Sequence, residues 1–193
     1  MSVGGGTVEL SGGVKIAGTT MGLRVAGGSA TMMGGKITGG GVGDTGVSVG
    51  SGTVELSGGV KILKFATGVK VSKGTFKMIG GGITGGGTGA GVSVTGGDVT
   101  LEGITISGVG TGVNMGGTGR LTMNNVTIKG EGESGGYGVM VDTSGEVKLN
   151  TVNISRVETE VYAKKGTLIM ERGSVTEFTE TGVIPVMCHT DLN

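Results

Sequence analysis

The side chains able to do chemistry in this chain are few and widely spread. Carboxylates alternate outward at Glu9, Glu55, Asp98, Glu102, Asp142 and Glu146. Glycoside chemistry needs two acids across a groove, or acids clustered about a cation. Glu9 and Glu55 come nearest to that. On the chain's internal period of about 23 residues they lie two coils apart on one face with Thr31 between them, roughly 9–10 Å at the β spacing. That is wide for a retaining pair and just beyond an inverting one. Lys77, one coil past Glu55, makes a surface charge ladder the better reading of the column. The single histidine, His189, sits beside the single cysteine, Cys188, with no third group to orient them as nucleophile and base. One cysteine also forbids an internal disulfide and a cysteine-based metal site. No catalytic, metal or cofactor residue is assigned.

Glycine motifs are common because glycine is: 48 of 193 residues. GVGDTG at 41–46 satisfies G-x-G-x-x-G, yet no helix begins inside it and no βαβ unit surrounds it. GGVGD at 40–44 falls one residue short of a calcium-binding nonapeptide and is not iterated. GGKIT at 34–38 lacks the Lys-Ser/Thr junction of a P-loop. Fifteen basic residues balance fifteen acidic ones. No basic block is long enough to neutralise a phosphate backbone, so no nucleic-acid partner is expected. No apolar run reaches 18 residues, so no membrane insertion by this segment is expected.

What positions these side chains is a repeat. SVGGGTVELSGGVKI at 2–16 returns as SVGSGTVELSGGVKI at 48–62, with fourteen of fifteen residues matching. Aligned on TVEL, the chain divides into eight units whose first strands start at 7, 30, 53, 75, 98, 120, 146 and 167, at spacings of 21 to 26 residues. Each unit holds three short alternating runs, for example TVEL, VKI and GLRV in the first. Within a run, neighbours face opposite sides, so Val8, Leu10, Ile16, Leu23 and Val25 point inward while Glu9, Lys15 and Arg24 point out. Read down the units, the first run ends Leu10, Met32, Leu56, Met78, Leu101, Met123, Leu149, Met170; the second ends in Ile until Val175. A helical solenoid fails, because this much glycine costs a helix roughly 1 kcal/mol per residue. The sequence therefore predicts an all-β chain: a right-handed single-stranded parallel β-helix of about eight coils, three short strands each. It forms a single domain over 1–193, regular over 1–180 with an irregular last coil or tail over 181–193. Uncapped strand edges at either end would permit end-to-end self-association.

One turn varies while the other corners stay short: the turn after the second strand. Its longest version, Lys129–Tyr137, carries Glu131, Glu133, Ser134 and Tyr137 and accounts for the 26-residue unit. Variable loops along one edge of a solenoid are where binding specificity usually lies, so these five residues form the candidate partner-contact loop. Ice binding needs flat ranks of outward threonine. The third strands instead offer Arg24, Ser48, Lys70, Ser93, Asn114, Met140 and Tyr162, which form no such rank, and the second strands open with Lys15, Lys36 and Lys61.

From about residue 98 onward, DVTLEGITISGVGTGVNMGGTGRLTMNNVTI followed by NTVNISRVETEVYAKKGTLIMERGSV resembles the passenger domain of bacterial autotransporters. The likeness is to the repeat-rich β-helical type. It implies a β-helix displayed on the bacterial surface or secreted, acting as a stalk or adhesin towards a host cell-surface protein or glycan. Passengers cross the outer membrane unfolded, in keeping with the single cysteine. Ser2–Val3 matches Ser48–Val49 in mid-repeat, so the chain is expected to be part of a longer passenger. Two other functions stay open: a carbohydrate-active lyase or glycosidase, and a truncated passenger without activity.

Overall fold

The computed structural model describes residues 1–18, 20–131, 136–176, 181–185 and 189–192; at 41, 42 and from 175 on it describes the backbone alone. Every regular element among them is a strand, and all of their pairings are parallel. The strands stack as a β-solenoid of about eight coils. Each strand lies against the same strand of the coils before and after it. The 22-residue spacing of apolar residues thus becomes contact between identical positions, so the core is a set of columns.

The expected columns form in register. Leu10 faces Met32, Met32 faces Leu56, and the series runs through Met78, Leu101, Met123 and Leu149 to Met170. The isoleucine column runs from Ile16 to Ile154 and closes on Val175. Interior members are almost wholly buried, whereas Val8, Leu10, Val14 and Ile16 in the first coil are only half-buried, because no described coil lies beneath them. Backbone pairing continues past the regular units. Thr181–Pro185 pairs with the third strand of the preceding coil, and His189–Leu192 sets Leu192 against Met170.

Two glycine columns make the corners. The second unit's first strand begins at Ser29, one residue before the start indicated by the sequence, since Ser29 pairs with Thr7. Immediately before the first strand of every unit stands Gly6, Gly28, Gly52, Gly74, Gly97, Gly119, Gly145 or Gly166. A Cβ on Gly74 would lie 2.2 Å from the carbonyl oxygen of Gly52, and one on Gly97 would lie 2.3 Å from that of Gly74. Those same oxygens accept backbone hydrogen bonds from Thr75 and Asp98, so they cannot move aside without breaking the ladder. At the next corner, two residues past each Leu/Met, φ is positive in all eight coils. The occupants are Gly12, Gly34, Gly58, Gly80 and Gly103, then Asn125, Thr151 and Arg172. A left-handed turn is free for glycine and costs other L-residues roughly 1–2 kcal/mol.

The repeat of two coils has a steric counterpart at this corner. In the first and third coils this corner has one extra residue, and Val14 and Val60 face inward two residues before the isoleucine, as Ile104, Val126 and Val152 do in later coils. A Cβ on Gly35 or Gly81 of the following coil would sit 2.1 Å from the Val14 or Val60 carbonyl oxygen. Glycine is thus required in the coil above each of these corners, and the pairing recurs with the 46-residue period alongside the Leu/Met alternation.

Candidate functional site

The variable turn has an inner side as well as an outer one. In the third, fifth and seventh coils a left-handed residue (Lys64, Gly108, Arg156) is followed by a buried apolar one, Phe65, Val109 or Val157. Coils between them carry glycine underneath. A Cβ on Gly39 would lie 2.5 Å from the Phe65 ring, one on Gly85 2.5 Å from Val109, and one on Gly130 2.6 Å from Val157. The turns thus plug the core in alternate coils. Only their outward residues are free to vary, which refines the expectation that the whole turn is variable surface.

The Lys129–Tyr137 loop leaves this edge with both ends tied. Lys129 ends a strand in register between Ser107 and Ser155 and is exposed. The Gly130 N–H donates to the Ser155 carbonyl, and the Tyr137 N–H donates to that of Gly110. Glu131 is exposed, and its Oε1 lies 3.3 Å from where a Cβ on Gly108 would be. Glu133 and Ser134 lie outside the described residues. Tyr137 is half-buried and packs its ring on Tyr162 of the next coil, with centroids 5.6 Å apart and planes tilted by 46°. Tyr162 carries no sequence signal as a loop residue; it reaches Tyr137 because Tyr137 pairs with Thr159 and Met140 with Tyr162. Of the five candidates, the structure places Lys129, Glu131 and Tyr137 on one edge, and Tyr162 extends that edge by a coil.

The carboxylates are disposed as the period requires. Glu9, Thr31, Glu55 and Lys77 stand in one column. Glu55 approaches Lys77 at 4.0 Å, both half-exposed, a pairing worth at most about 1 kcal/mol. Asp142 pairs with Lys164 at 3.3 Å and Glu146 with Lys148 at 3.1 Å. Among the described residues no group of three or more His, Cys, Asp or Glu converges as a metal site. Cys188 lies outside the described residues, and His189 is described only as backbone in a strand.

One further acid emerges only with the coils in place. The third strands open on Gly22, Gly46, Gly68, Gly91, Gly112 and Gly138, and at the seventh coil on Glu160. In the earlier coils a Cβ here would meet an isoleucine methyl of the next coil, 2.3 Å away at Gly22 and Gly68. Glu160 is fully buried, and neither carboxylate oxygen has a hydrogen-bond partner among the described residues. Burial pushes its pKa above the ordinary carboxylate value, opposed more weakly by the polarity of its own backbone amide. Its signal in the sequence is a single break in a glycine column.

No protein-family model matches the chain, and neither a curated protein nor a solved structure is similar to it at a significant level.

Proposed function

We propose that the chain is a non-enzymatic stalk or adhesin-like passenger, displayed on or secreted from a Gram-negative bacterium. Its solenoid is scaffold, and contact with a host cell-surface protein or glycan runs through the variable turn edge. The observation that carries this reading is the Lys129–Tyr137 insertion. It enlarges one coil, yet the strands on either side keep their register, since Thr111 faces Tyr137 and Ser107 faces Lys129. An insertion that leaves the scaffold unchanged can diversify without cost to folding, as binding loops do on rigid frameworks. The Tyr137–Tyr162 pair supplies an amphipathic anchor of low conformational entropy beside it.

The test is a loop exchange. Residues 129–137 are replaced by the short turn of the preceding coil, and binding of the purified chain to epithelial cell surfaces is compared with the parent. Adhesion should fall to background while the circular dichroism spectrum stays the same. Undiminished adhesion by the exchanged protein would remove the loop from the contact surface.

A further inference from the structure

A separate concavity lies on the outer face of the first strands, at the corner where they turn into the second strands. This edge is distinct from that of the variable turns, so a ligand held here is independent of the adhesion reading. Two in-register columns build it: Thr122, Lys148, Ile169 and, two residues along, Asn124, Asn150, Glu171. Its volume is about 110 Å³. At roughly 30 Å³ per water that is room for three or four waters, well below the ~300 Å³ at which sites for drug-sized ligands begin. The site has the size of part of one small ring.

Its lining combines a hydroxyl, two carboxamides, an ammonium, a carboxylate and the aliphatic flank of Ile169. Donors and acceptors are both present. The ammonium of Lys148 is already paired with Glu146 at 3.1 Å, leaving no surplus positive charge to hold a phosphate. Glu171 is the one carboxylate among the lining residues, so they form no acid cluster to hold a cation. Mixed donors and acceptors over an aliphatic surface suit a ligand with hydroxyls on an otherwise apolar ring.

The backbone at this corner bears on the same point. Each of the three pocket residues at the end of a first strand is followed by a non-glycine in the left-handed region: Asn125, Thr151 and Arg172. Every earlier coil has glycine there. Strain of this kind persists where surrounding structure or function maintains it. At Thr151 a local compensation is visible: its hydroxyl donates to Asn150 Oδ1 at 3.2 Å. That occupies the Asn150 carbonyl oxygen and turns the amide N–H groups to other partners. We infer that this corner is a binding subsite for a neutral sugar unit. Asn124 and Asn150 would donate to ring hydroxyls, Glu171 would accept from them, and Thr151 would position Asn150.

The test follows the side-chain amide resonances of Asn124 and Asn150 by NMR. The chain is titrated with glucose, galactose, mannose and N-acetylglucosamine and with disaccharides of each. At least one probe should give saturable shifts at both amides. Asn124→Ala and Glu171→Ala should each weaken binding about tenfold, the loss of one hydrogen bond. Both positions lie on the outer face, and unchanged circular dichroism verifies folding. Thr151→Gly should weaken binding while raising the melting temperature, a combination that a purely structural threonine would not give. Three results would overturn the assignment: no saturable shift with any sugar, shifts undiminished in both variants, or an equal response to calcium chloride or sodium phosphate.

Discussion

Glu160→Gln should stabilise the protein at neutral pH and not at acid pH. The wild-type side chain is fully buried, with two oxygens unpartnered and no ion pair among the described residues, so its ionised form gains neither water nor a compensating charge from them. Leaving a buried polar group unsatisfied costs roughly 1–3 kcal/mol, and more when it is charged. Linkage fixes the sign. Burial raises the folded pKa above the unfolded value, so the folded state binds more protons across the interval between them. Stability is therefore highest at and below the ordinary carboxylate range. It declines as pH rises from there through the raised pKa, then levels off. Glutamine keeps the size and loses the titration. The unpaired carboxamide bears the neutral part of that cost as well, so the variant should exceed wild type at pH 7 by the added cost of the charge alone, on the order of 1–3 kcal/mol, an increase of roughly 2–12 °C in melting temperature for a chain of this length. The gap should close near pH 4. The chain has no tryptophan, and of its two tyrosines Tyr162 lies two residues from Glu160 in the same strand and Tyr137 on the coil before it. Urea titrations followed by tyrosine fluorescence at pH 4, 5.5 and 7 thus report on the coils in question, even if the array unfolds in parts. A gap that is independent of pH, or a variant less stable at pH 7, would refute the reasoning.

Other substitutions probe the scaffold. Gly74→Ala places a methyl 2.2 Å from the Gly52 carbonyl oxygen and should cost several kcal/mol, on the order of a broken buried hydrogen bond plus a backbone shift; chemical denaturation measures it. Phe65→Ala empties the plug above Gly39 and Gly46 and should lower stability by about 3–5 kcal/mol. Thr151→Gly removes a left-handed penalty of about 1–2 kcal/mol and gives back about 0.4–1 kcal/mol through a freer unfolded chain; melting curves should show a small net gain. Ile106→Asp puts a charge into a fully buried column at a cost of several kcal/mol. Its melting curve, if unaltered, would contradict the inward assignment.

The fold is legible in the sequence because alternation and period are written on each strand. Leu10, Met32 and their successors identify the inner face, and their spacing identifies the coil. Interactions across coils are harder to read. The duplicated SGGVKI segments reveal a two-coil unit, but the clash of a Gly35 Cβ with the Val14 carbonyl depends on backbone geometry that residue types do not encode. Phe65, Val109 and Val157 stand in turns that read as variable surface. A residue after a left-handed turn points inward there, although strand alternation does not extend that far. Tyr162 joins the candidate edge only through register. Glu160, by contrast, is visible as the one acid in a glycine column, and Asn125, Thr151 and Arg172 mark the end of another such column.

The most direct test of in-register stacking is a ruler along one outer column. With Cys188 changed to serine, nitroxide labels are placed at Glu9 and Thr100, and in a second protein at Glu9 and Lys148. These pairs are four and six coils apart on the column that runs through Thr31, Glu55, Lys77 and Thr122. At about 4.8 Å per coil, double electron–electron resonance should give narrow distributions near ~19 Å and ~29 Å, differing by two coil spacings. Broad distributions, or a difference far from ~10 Å, would contradict the stacked solenoid on which every site assignment rests.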